Sequence, residues 1–413
     1  MRRILALASA LAALLAVPAA AQLLPGFAVP QLPVVGPLAQ GAEQTLDQTV
    51  NRSLQSVRQT AGVLLQARTD RIADLLRKRR KFVEPDASGE PAVRGELLLV
   101  DPGPGTLAAA RGLGLSDATT EKLDALDMTV VRLTLPRGLS LAEAQKQLLQ
   151  QAPETQIAPD NLNFQSGGTA VETAASAVAA APAIATRVGI IDGGPGKGIS
   201  TVAIRGFARG APASSDHGSA VASLLAGAGA RNLIVADVYG ADPAGGNALA
   251  IVRALDWLAG AGAQVVSISL VGPRNAALAK AIDAVRKKGM VVVAPVGNDG
   301  PAAPPAYPAS YPGVLAVTAV DKHERALIEA GHALHLDYAA PGADIRALNK
   351  AGKWVSVRGT SYAVPLVAAR AAAAVRRGST WKLALDDEAE DLGPRGPDAQ
   401  YGRGLLCKAC GRR

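Results

Sequence analysis

The sequence has little of several residue types that carry chemistry, and each shortage excludes a class of site. Of its 413 residues, two are cysteine, four are histidine and 3% are aromatic. Cys407 and Cys410 form a lone C-x-x-C in the tail 407–413 with no histidine nearby in the sequence, so a zinc site lacks further ligands. A short-loop disulfide is the simpler prediction. The 43 glycines and 27 prolines follow no repeat period, which excludes a collagen-like or repeat protein.

Long apolar runs are also missing. The stretch 4–17 is shorter than the roughly 20 residues that span a bilayer. Arg2 and Arg3 precede it and the letters AAAQ follow at 19–22, which predicts a secretory signal peptide over 1–21. A membrane anchor is the alternative. We therefore expect an exported chain, either periplasmic or extracellular.

Residues 22–94 predict a Pro-rich linker followed by an amphipathic helix. Apolar residues recur at spacings of three and four over 43–81, and the run ends in the basic letters RKRRK at 77–81. Two interpretations stay open. The helix packs on its own protein or a coiled-coil partner, or it contacts a membrane surface or another protein.

Residues 95–165 predict a small α/β domain. Strand-like and helix-like runs alternate at 95–100, 117–126, 128–136, 140–151 and 154–164. Ser140 followed by Glu143 forms a capping box at the start of the second helix. The order β-α-β-α-β is typical of an open-faced sandwich. The alanine-rich segment 166–186 has no stable period and predicts an exposed linker.

The chain's net charge of +8 is unevenly distributed. Residues 96–186 sum to −5 and residues 187–407 to +5. Docked partners often carry complementary charge, so this difference suggests that the small domain docks on the segment that follows it.

Residues 187–406 predict an α/β fold, a parallel sheet with helices on both faces. Five strands are predicted, at 187–191, 232–238, 264–270, 290–296 and 314–320. Helices are predicted at 217–226, 246–259 and 274–289, with a last one at 361–376, so strands and helices alternate. In such sheets the functional site lies at the carboxyl ends of the strands.

The segment RVGIIDGGPGKG, residues 187–198, ends a predicted strand with an acid and a glycine-rich turn. Its glycines fit neither the P-loop nor the dinucleotide spacing, and Pro195 removes one N–H that could cradle a phosphate. With phosphate binding disfavoured, Asp192 becomes the candidate functional residue of this segment, because it lies at a strand end where a site is expected.

Three further segments carry candidate side chains. His217 follows Asp216, a good helix cap, and opens a helix of small residues that can lie close to the sheet. Asn298 follows a buried-type strand, and its amide can donate to an oxyanion or form a simple turn. Ser361 begins an alanine-rich helix, with Pro365 expected in the first turn, so its hydroxyl sits where backbone N–H groups can hold an oxyanion.

Together these segments resemble the subtilisin-like serine proteases, the subtilase family. VGIIDGG resembles the family's aspartate motif, DHGSAVAS its histidine motif and GTSYAVPLVA its serine motif, in the family's order along the chain. VVSISLVGP, 265–273, resembles the strand that lines the substrate cleft. The resemblance thus assigns substrate binding to Ser269, Leu270 and Gly272, while Val271 stands where a second glycine is more usual. Residues 95–165 resemble, less specifically, the family's inhibitory propeptide.

The resemblance implies an exported serine endopeptidase made as a self-processing zymogen. Asp192, His217 and Ser361 would form the catalytic triad, and Asn298 with the Ser361 N–H would bind the oxyanion. The propeptide would lay its tail in the cleft and be cut within 166–186.

The same resemblance sets the expected partners and cofactors. The partners would be peptide or protein substrates and the chain's own propeptide, without nucleic acid. No carboxylate cluster marks the family's calcium sites, so no metal ligand or cofactor is predicted and calcium is left open. Two alternatives remain: a catalytically idle binding module with this fold, and an esterase with the same triad.

Overall fold

The computed structural model describes residues 37–172 and 181–410. The signal peptide predicted at 1–21 and the first part of the predicted linker lie outside these ranges. No helix within them is both long and apolar enough to span a bilayer. Cys407 and Cys410 form the predicted disulfide.

The first part of the described chain is a long helix and a five-stranded antiparallel sheet. The elements are α1 (Pro37–Lys78), β1 (Val83–Pro85), β2 (Pro91–Val100), α2 (Pro104–Gly112), β3 (Ser116–Leu123), β4 (Met128–Thr134), α3 (Leu141–Gln151) and β5 (Gln156–Asn161). Strand β2 is central and pairs with β1, β4 and β5, while β3 pairs with β4. Leu97, Leu99, Leu133, Leu141 and Leu148 form its core against the helices. We call this unit the small sheet.

One predicted helix of the small sheet is wrong. The letters DATTEKLDAL, 117–126, form strand β3 and a turn, while a helix forms earlier, at Pro104–Gly112. The two β-branched threonines, Thr119 and Thr120, suit a strand, and the pairing of β3 with β4 across a tight turn supplies the tertiary contacts that override local helix preference. The cap on the other helix is confirmed, since Ser140 Oγ accepts from Glu143 N at 3.3 Å.

The larger unit is a seven-stranded parallel sheet. Its strands are β8 (Ile184–Asp192), β9 (Ala203–Gly206), β10 (Ala230–Asp237), β11 (Val265–Ile268), β13 (Val291–Pro295), β14 (Leu315–Val320) and β15 (Tyr338–Pro341), in the order β15-β14-β13-β11-β8-β10-β9. Helices α4 (Asp216–Gly227) and α7 (Thr360–Ala374) contribute to the apolar core on one face. Helices α5 (Ala248–Gly260) and α6 (Ala276–Lys287) cover the other, and α8 spans Trp381–Glu388. The predicted α/β fold is confirmed.

Part of the segment predicted as an exposed linker, 166–186, is paired instead, at Gly168–Glu172 and from Ile184 onward, while 173–180 lie outside the described residues. Strand β6 (Phe164–Gln165) pairs antiparallel with β12 (Leu270–Val271). Strand β7 (Gly168–Glu172) pairs with β17 (Trp354–Arg358), which also pairs with β16 (Ile345–Leu348). Adding a strand to an existing edge uses main-chain hydrogen bonds, so the composition of the added strand gives little warning of it.

The small sheet packs on helices α5 and α6 through a shared apolar cluster, which includes Leu98, Val130 and Leu249, and through charged and polar contacts as well. Arg253 forms an ion pair with Glu121, and Lys280 forms one with Asp101. In both pairs the base comes from the larger unit and the acid from the small sheet. This agrees with the opposite net charges of the two segments.

Asp160 is the most deeply buried acid of this contact, with only 2% of its surface exposed. Its Oδ1 accepts from the N–H of Leu249 at the start of α5, at 2.8 Å. Burial raises the pKa of Asp160 to about 7, against the lowering effect of that hydrogen bond and of nearby Arg253 and Arg132.

We predict that Asp160 makes the folded chain less stable as the pH rises. Because the pKa is raised in the folded state, its contribution is fully present below pH 4 and is lost between about pH 4 and pH 7, by at most about 1.4 kcal/mol per pH unit. Asp160→Asn keeps the acceptor and should remove this slope in urea unfolding at pH 5 and pH 8. Asp124→Asn, at a side chain that is 84% exposed, is the control. Equal pH slopes in Asp160→Asn and the unchanged chain would contradict the prediction.

Candidate active site

Two buried acids end neighbouring strands of the parallel sheet. Asp192 is the last residue of β8 and Asp237 the last of β10, and the two are paired in register. Asp237 accepts from the backbone N–H groups of Ala213, Tyr239 and Gly240, so it fixes the turn beside Asp192. The carboxyl edge of the sheet is therefore where the polar side chains gather, as the fold predicts.

The carboxylate of Asp192 holds the ring of His217. Nδ1 of His217 lies 2.8 Å from Oδ2 and 3.0 Å from Oδ1 of Asp192. Oδ1 also accepts from the N–H of Gly193 at 2.7 Å. When Nδ1–H donates to the carboxylate, the tautomer of the uncharged ring that results has its acceptor at Nε2. Nε2 is buried and makes no hydrogen bond within the described part of the chain.

The helix that carries His217 begins one residue earlier than predicted. Its N-cap is Ser215, whose Oγ accepts from Gly218 N at 3.0 Å, and Asp216 is the first helical residue. Asp216 instead accepts from the N–H of Lys350 at 3.1 Å. The cap fixes the first helical turn, and with it the position of His217 above the sheet edge.

Ser361 lies in the first turn of helix α7 and is fully buried. Pro365 falls in the second turn rather than the first, so the carbonyl of Ser361 has no i+4 N–H partner. The hydroxyl of Ser269 donates to that carbonyl at 3.0 Å. Ser269 thus compensates for the proline and fixes the start of the helix.

Asn298 is held by the residue before Ser361. Its Oδ1 accepts from Thr360 N and Thr360 Oγ1, both at 3.0 Å. Both donors bind the oxygen of the amide, so the amide nitrogen is directed elsewhere. A Cβ atom added at Gly359 would lie 2.7 Å from Asn298 Nδ2 and 2.9 Å from the carbonyl oxygen of Ser166. The amide nitrogen and that carbonyl therefore approach the same small space.

The chain's own residues 163–167 run through this edge as an extended segment, which we call the cleft segment. Phe164 and Gln165 pair with Val271 and Leu270 on one side. On the other side Asn163 N donates to Gly246 O at 2.8 Å.

Side chains bind the cleft segment as well. Tyr239 OH donates to Asn163 O at 2.7 Å, and Gln165 Nε2 donates to Asp192 Oδ1 at 3.0 Å. The cleft segment is therefore bound by main-chain and side-chain contacts together.

The carbonyl of Ser166 meets the start of helix α7. Ser361 N donates to Ser166 O at 3.1 Å, and Ser166 N donates to Ser361 Oγ at 3.0 Å. Ser361 Oγ lies 2.9 Å from the carbonyl oxygen of Ser269 and 3.0 Å from Ser166 Oγ. Among the described residues no hydrogen bond joins Ser361 Oγ to His217.

The predicted site residues come together, and the structure adds others. Asp192, His217, Asn298 and Ser361 all border the cleft segment or its direct contacts. Leu270 pairs with it, and Gly272 lies against Asn163, where an added Cβ would sit 2.3 Å from Oδ1.

Sequence reasoning did not assign site roles to Thr360, Tyr239, Gly246, Gln165 and Ser166. Only Thr360 has a sequence signal, its place beside Ser361. The remaining four residues reach the site through loops and pairing that local patterns do not reveal.

Helix α1 passes over the cleft segment. Arg71 forms an ion pair with Asp299, the neighbour of Asn298, at 2.6 Å, and Arg68 contacts Asp299 at 3.4 Å. Beyond the helix end Arg79 donates to Pro243 O at 2.6 Å, on the wall that carries Gly246.

The apolar side of the same helix faces the segment. Leu75 and Leu76 pack in one apolar cluster with Leu162 and Phe164. The helix thus contacts both walls of the cleft, and it borders an open groove of about 1310 Å³ lined also by Gln165, Ser166 and Asn298.

Among the residues that the structure describes, no group of three or more His, Cys, Asp or Glu side chains lies close enough together to hold a metal ion.

Comparisons with known proteins agree with this geometry. The family model described as "Subtilase family" matches residues 206–404, which include His217, Asn298 and Ser361. Subtilisin BL of Lederbergia lenta is 32% identical over 234 residues, which is 51% of this chain and 85% of that protein. An alkaline protease of Shouchella clausii is 31% identical over 234 residues and 60% of its length.

A solved structure shares the fold. Fervidolysin from Fervidobacterium pennivorans, described as a keratinolytic enzyme related to subtilisin, aligns with a TM-score of 0.62 at 16% identity. The alignment covers 78% of this chain and 61% of that chain.

We predict that Gly359→Ala destabilises the chain by more than a matched glycine change. Gly359 has φ +142°, and its added Cβ would lie under 3.0 Å from Asn298 Nδ2, Gly167 Cα and Ser166 O. Gly289→Ala is the control, since Gly289 has φ +86° with nothing within 4 Å of its added Cβ. The control should cost about 1 kcal/mol from backbone strain and Gly359→Ala about 2 kcal/mol more. Similar losses in urea unfolding would contradict the crowding at Gly359.

Proposed function

The chain belongs to the subtilase family of serine proteases, and from that premise we propose that it hydrolyses peptide bonds through Asp192, His217 and Ser361. The observation that carries the proposal is the hydrogen bond from Ser361 N to a main-chain carbonyl, beside a histidine already held by an aspartate. A carbonyl in this position is presented to the nucleophile, and its oxygen faces the donors that would stabilise it when it becomes negative.

Each residue has one role in the proposed reaction. Ser361 Oγ attacks the substrate carbonyl while His217 Nε2 takes its proton and later gives it to the leaving amine. Asp192 holds the ring in the tautomer that leaves Nε2 free. Ser361 N and Asn298 Nδ2 bind the oxyanion, and Thr360 holds the Asn298 side chain by its oxygen, which directs the nitrogen inward.

The cleft also suggests how a substrate chain binds. An extended peptide would pair with Leu270 and Val271 on one side and with Gly246 on the other, as the cleft segment does. Main-chain pairing gives affinity with little dependence on side chains. This supports an endopeptidase that acts on extended protein or peptide segments.

We further propose that the chain is made as an exported precursor. Residues 1–21 would be the signal peptide, residues 95–165 the core of an inhibitory propeptide, and residues 187–406 the peptidase domain. The support is that the small sheet leads directly into the cleft segment, which occupies the proposed substrate position. A precursor in this arrangement excludes other substrates until a bond within 166–186 is cut.

The proposal is tested with a fluorophosphonate probe, which reacts with an activated serine. The unchanged chain should be labelled and should hydrolyse a peptide substrate, while Ser361→Ala should do neither. A chain that folds but is never labelled, even after removal of its first 166 residues, would be the idle binding module. Hydrolysis of esters without any hydrolysis of peptides would instead favour the esterase.

We predict that Asn298→Ala lowers kcat by about 10²–10³, the range that loss of such a donor causes in subtilisin, a relative of this chain. Thr360→Val keeps the backbone donor to Asn298 and removes only the hydroxyl, so its effect on kcat should be smaller. KM should change little in both variants, because the donor acts mainly in the transition state. A larger loss in Thr360→Val than in Asn298→Ala would contradict the assigned roles.

Helix α1 is the remaining element, and we propose that its described part acts on its own protein rather than on a membrane. It closes the cleft over the inhibitory segment and is held there by Arg68 and Arg71. The support is its contact with both walls and with Phe164.

We predict that Arg68→Ala with Arg71→Ala shortens the delay before a purified precursor becomes active. Loss of the Asp299 pairs, and with them of the Arg68–Glu90 pair at 2.6 Å, should free the helix and let the cut propeptide leave several-fold sooner. Arg58→Ala, at an exposed residue of the same helix, is the control. The delay is measured by continuous hydrolysis of a fluorogenic peptide. An identical delay in the double variant and the control would show that the helix does not restrain the propeptide.

A further inference from the structure

We propose that the first self-processing cut falls on one bond, Ser166–Gly167. The inference deepens the proposed function and rests on it, because the same nucleophile would act on the chain's own segment. It replaces the broad window 166–186 with a single peptide bond.

The main-chain hydrogen bonds define which carbonyl is presented. Ser361 N donates to Ser166 O at 3.1 Å, and a Cβ added at Gly359, beside Asn298 Nδ2, would lie 2.9 Å from the same oxygen. The pairing with β12 stops at Gln165, directly before this residue. The bond on the carboxyl side of Ser166 is therefore the one aligned with the proposed oxyanion donors.

The chain is held on both sides of that bond. Upstream, Asn163, Phe164 and Gln165 are fixed by Gly246, Val271 and Leu270. Downstream, β7 pairs with β17, with Gly168 opposite Arg358 and Thr169 opposite Val357. Because the chain is paired both before and after the Ser166–Gly167 bond, that bond moves little relative to Ser361, which favours attack by its hydroxyl.

Gly167 fits its place because it has no side chain. A Cβ added there would lie 2.6 Å from Cε2 of Tyr362, whose buried ring also contacts the ring of His217 at a centroid distance of 5.3 Å. A larger residue would push the bond or the ring away from the site. The glycine at this position is thus a requirement of the presented geometry.

The proposed step balances in two stages. Ser361 Oγ forms a bond to the carbonyl carbon of Ser166, its proton moves to His217 Nε2, and the bond to Gly167 N breaks as that nitrogen takes the proton. Water then attacks the ester that joins Ser166 to Ser361. His217 takes a proton from that water and gives it to Ser361 Oγ as the ester bond breaks. Rotation of the Ser361 side chain from Ser269 O toward His217 precedes the attack.

The products remain bound by contacts already present. The new carboxylate of Ser166 stays at Ser361 N, and the new N-terminus at Gly167 leads into β7, which stays paired with β17. The cut fragment therefore continues to block the cleft until its sheet, its segment and helix α1 leave together.

The test is a time course of dilute, purified precursor by intact mass and N-terminal sequencing. The earliest products should end at Ser166 and begin at Gly167, with a rate independent of protein concentration. A first cut elsewhere in a chain that is labelled by fluorophosphonate and hydrolyses peptides overturns this inference but leaves the proposed function standing. A chain that is neither labelled nor cut overturns both.

A matched pair of variants tests the bond separately. Gly167→Val should slow the first cut at least tenfold through the clash with Tyr362, while Ala183→Val, at an exposed residue of the same window, should not change it. Folding of Gly167→Val is checked by urea unfolding with Ser361→Ala present. A folded Gly167→Val chain that is cut at the same place and rate would overturn the inference.

Discussion

The hydrogen bond from Ser361 N to Ser166 O is the contact on which the arrangement of the candidate site depends. Helix α7 begins at this point and supplies the N–H, while the opposite partner belongs to the segment that leaves the small sheet. Small changes in either element would move the carbonyl from the donors. The sheet edge, the pairing with β12 and the turn at Gly359 all keep these two residues in register.

The same contact explains how so many polar groups stay buried. Asp192, His217 and Ser361 are almost fully removed from solvent, which is costly unless each finds partners. Gln165 and Ser166 supply several of those partners from the cleft segment itself. The cleft segment therefore completes the hydrogen bonding of the site while it occupies it, and under the proposed self-processing its departure would expose these groups to substrate and water.

Docking of the small sheet buries apolar residues against helices α5 and α6 and adds ion pairs of opposite charge and one buried acid. The ion pairs of Arg253 and Lys280 are partly exposed, so each contributes little to stability on its own. Asp160 is different, because burial raises its pKa toward neutrality and makes the contact sensitive to pH. Helix α1 adds further contacts, through the ion pairs of Arg68 and Arg71 with Asp299 and the apolar packing on Phe164. Under the proposed self-processing, release of the fragment would require these polar contacts and the apolar cluster shared with α5 and α6 to break together.

The sequence by itself predicted the parallel sheet, five of its seven strands and the candidate residues Asp192, His217, Asn298 and Ser361, while the strands Ala203–Gly206 and Tyr338–Pro341 are not among those five. Hydrophobic runs, caps and motifs are local, so they can be read without the fold. Tertiary structure alone decided that 117–123 is a strand, because its partner β4 overrides local preference. Tertiary structure likewise brought Gln165, Ser166 and Tyr239 to the site, since pairing and close approach across distant parts of a chain leave no local pattern.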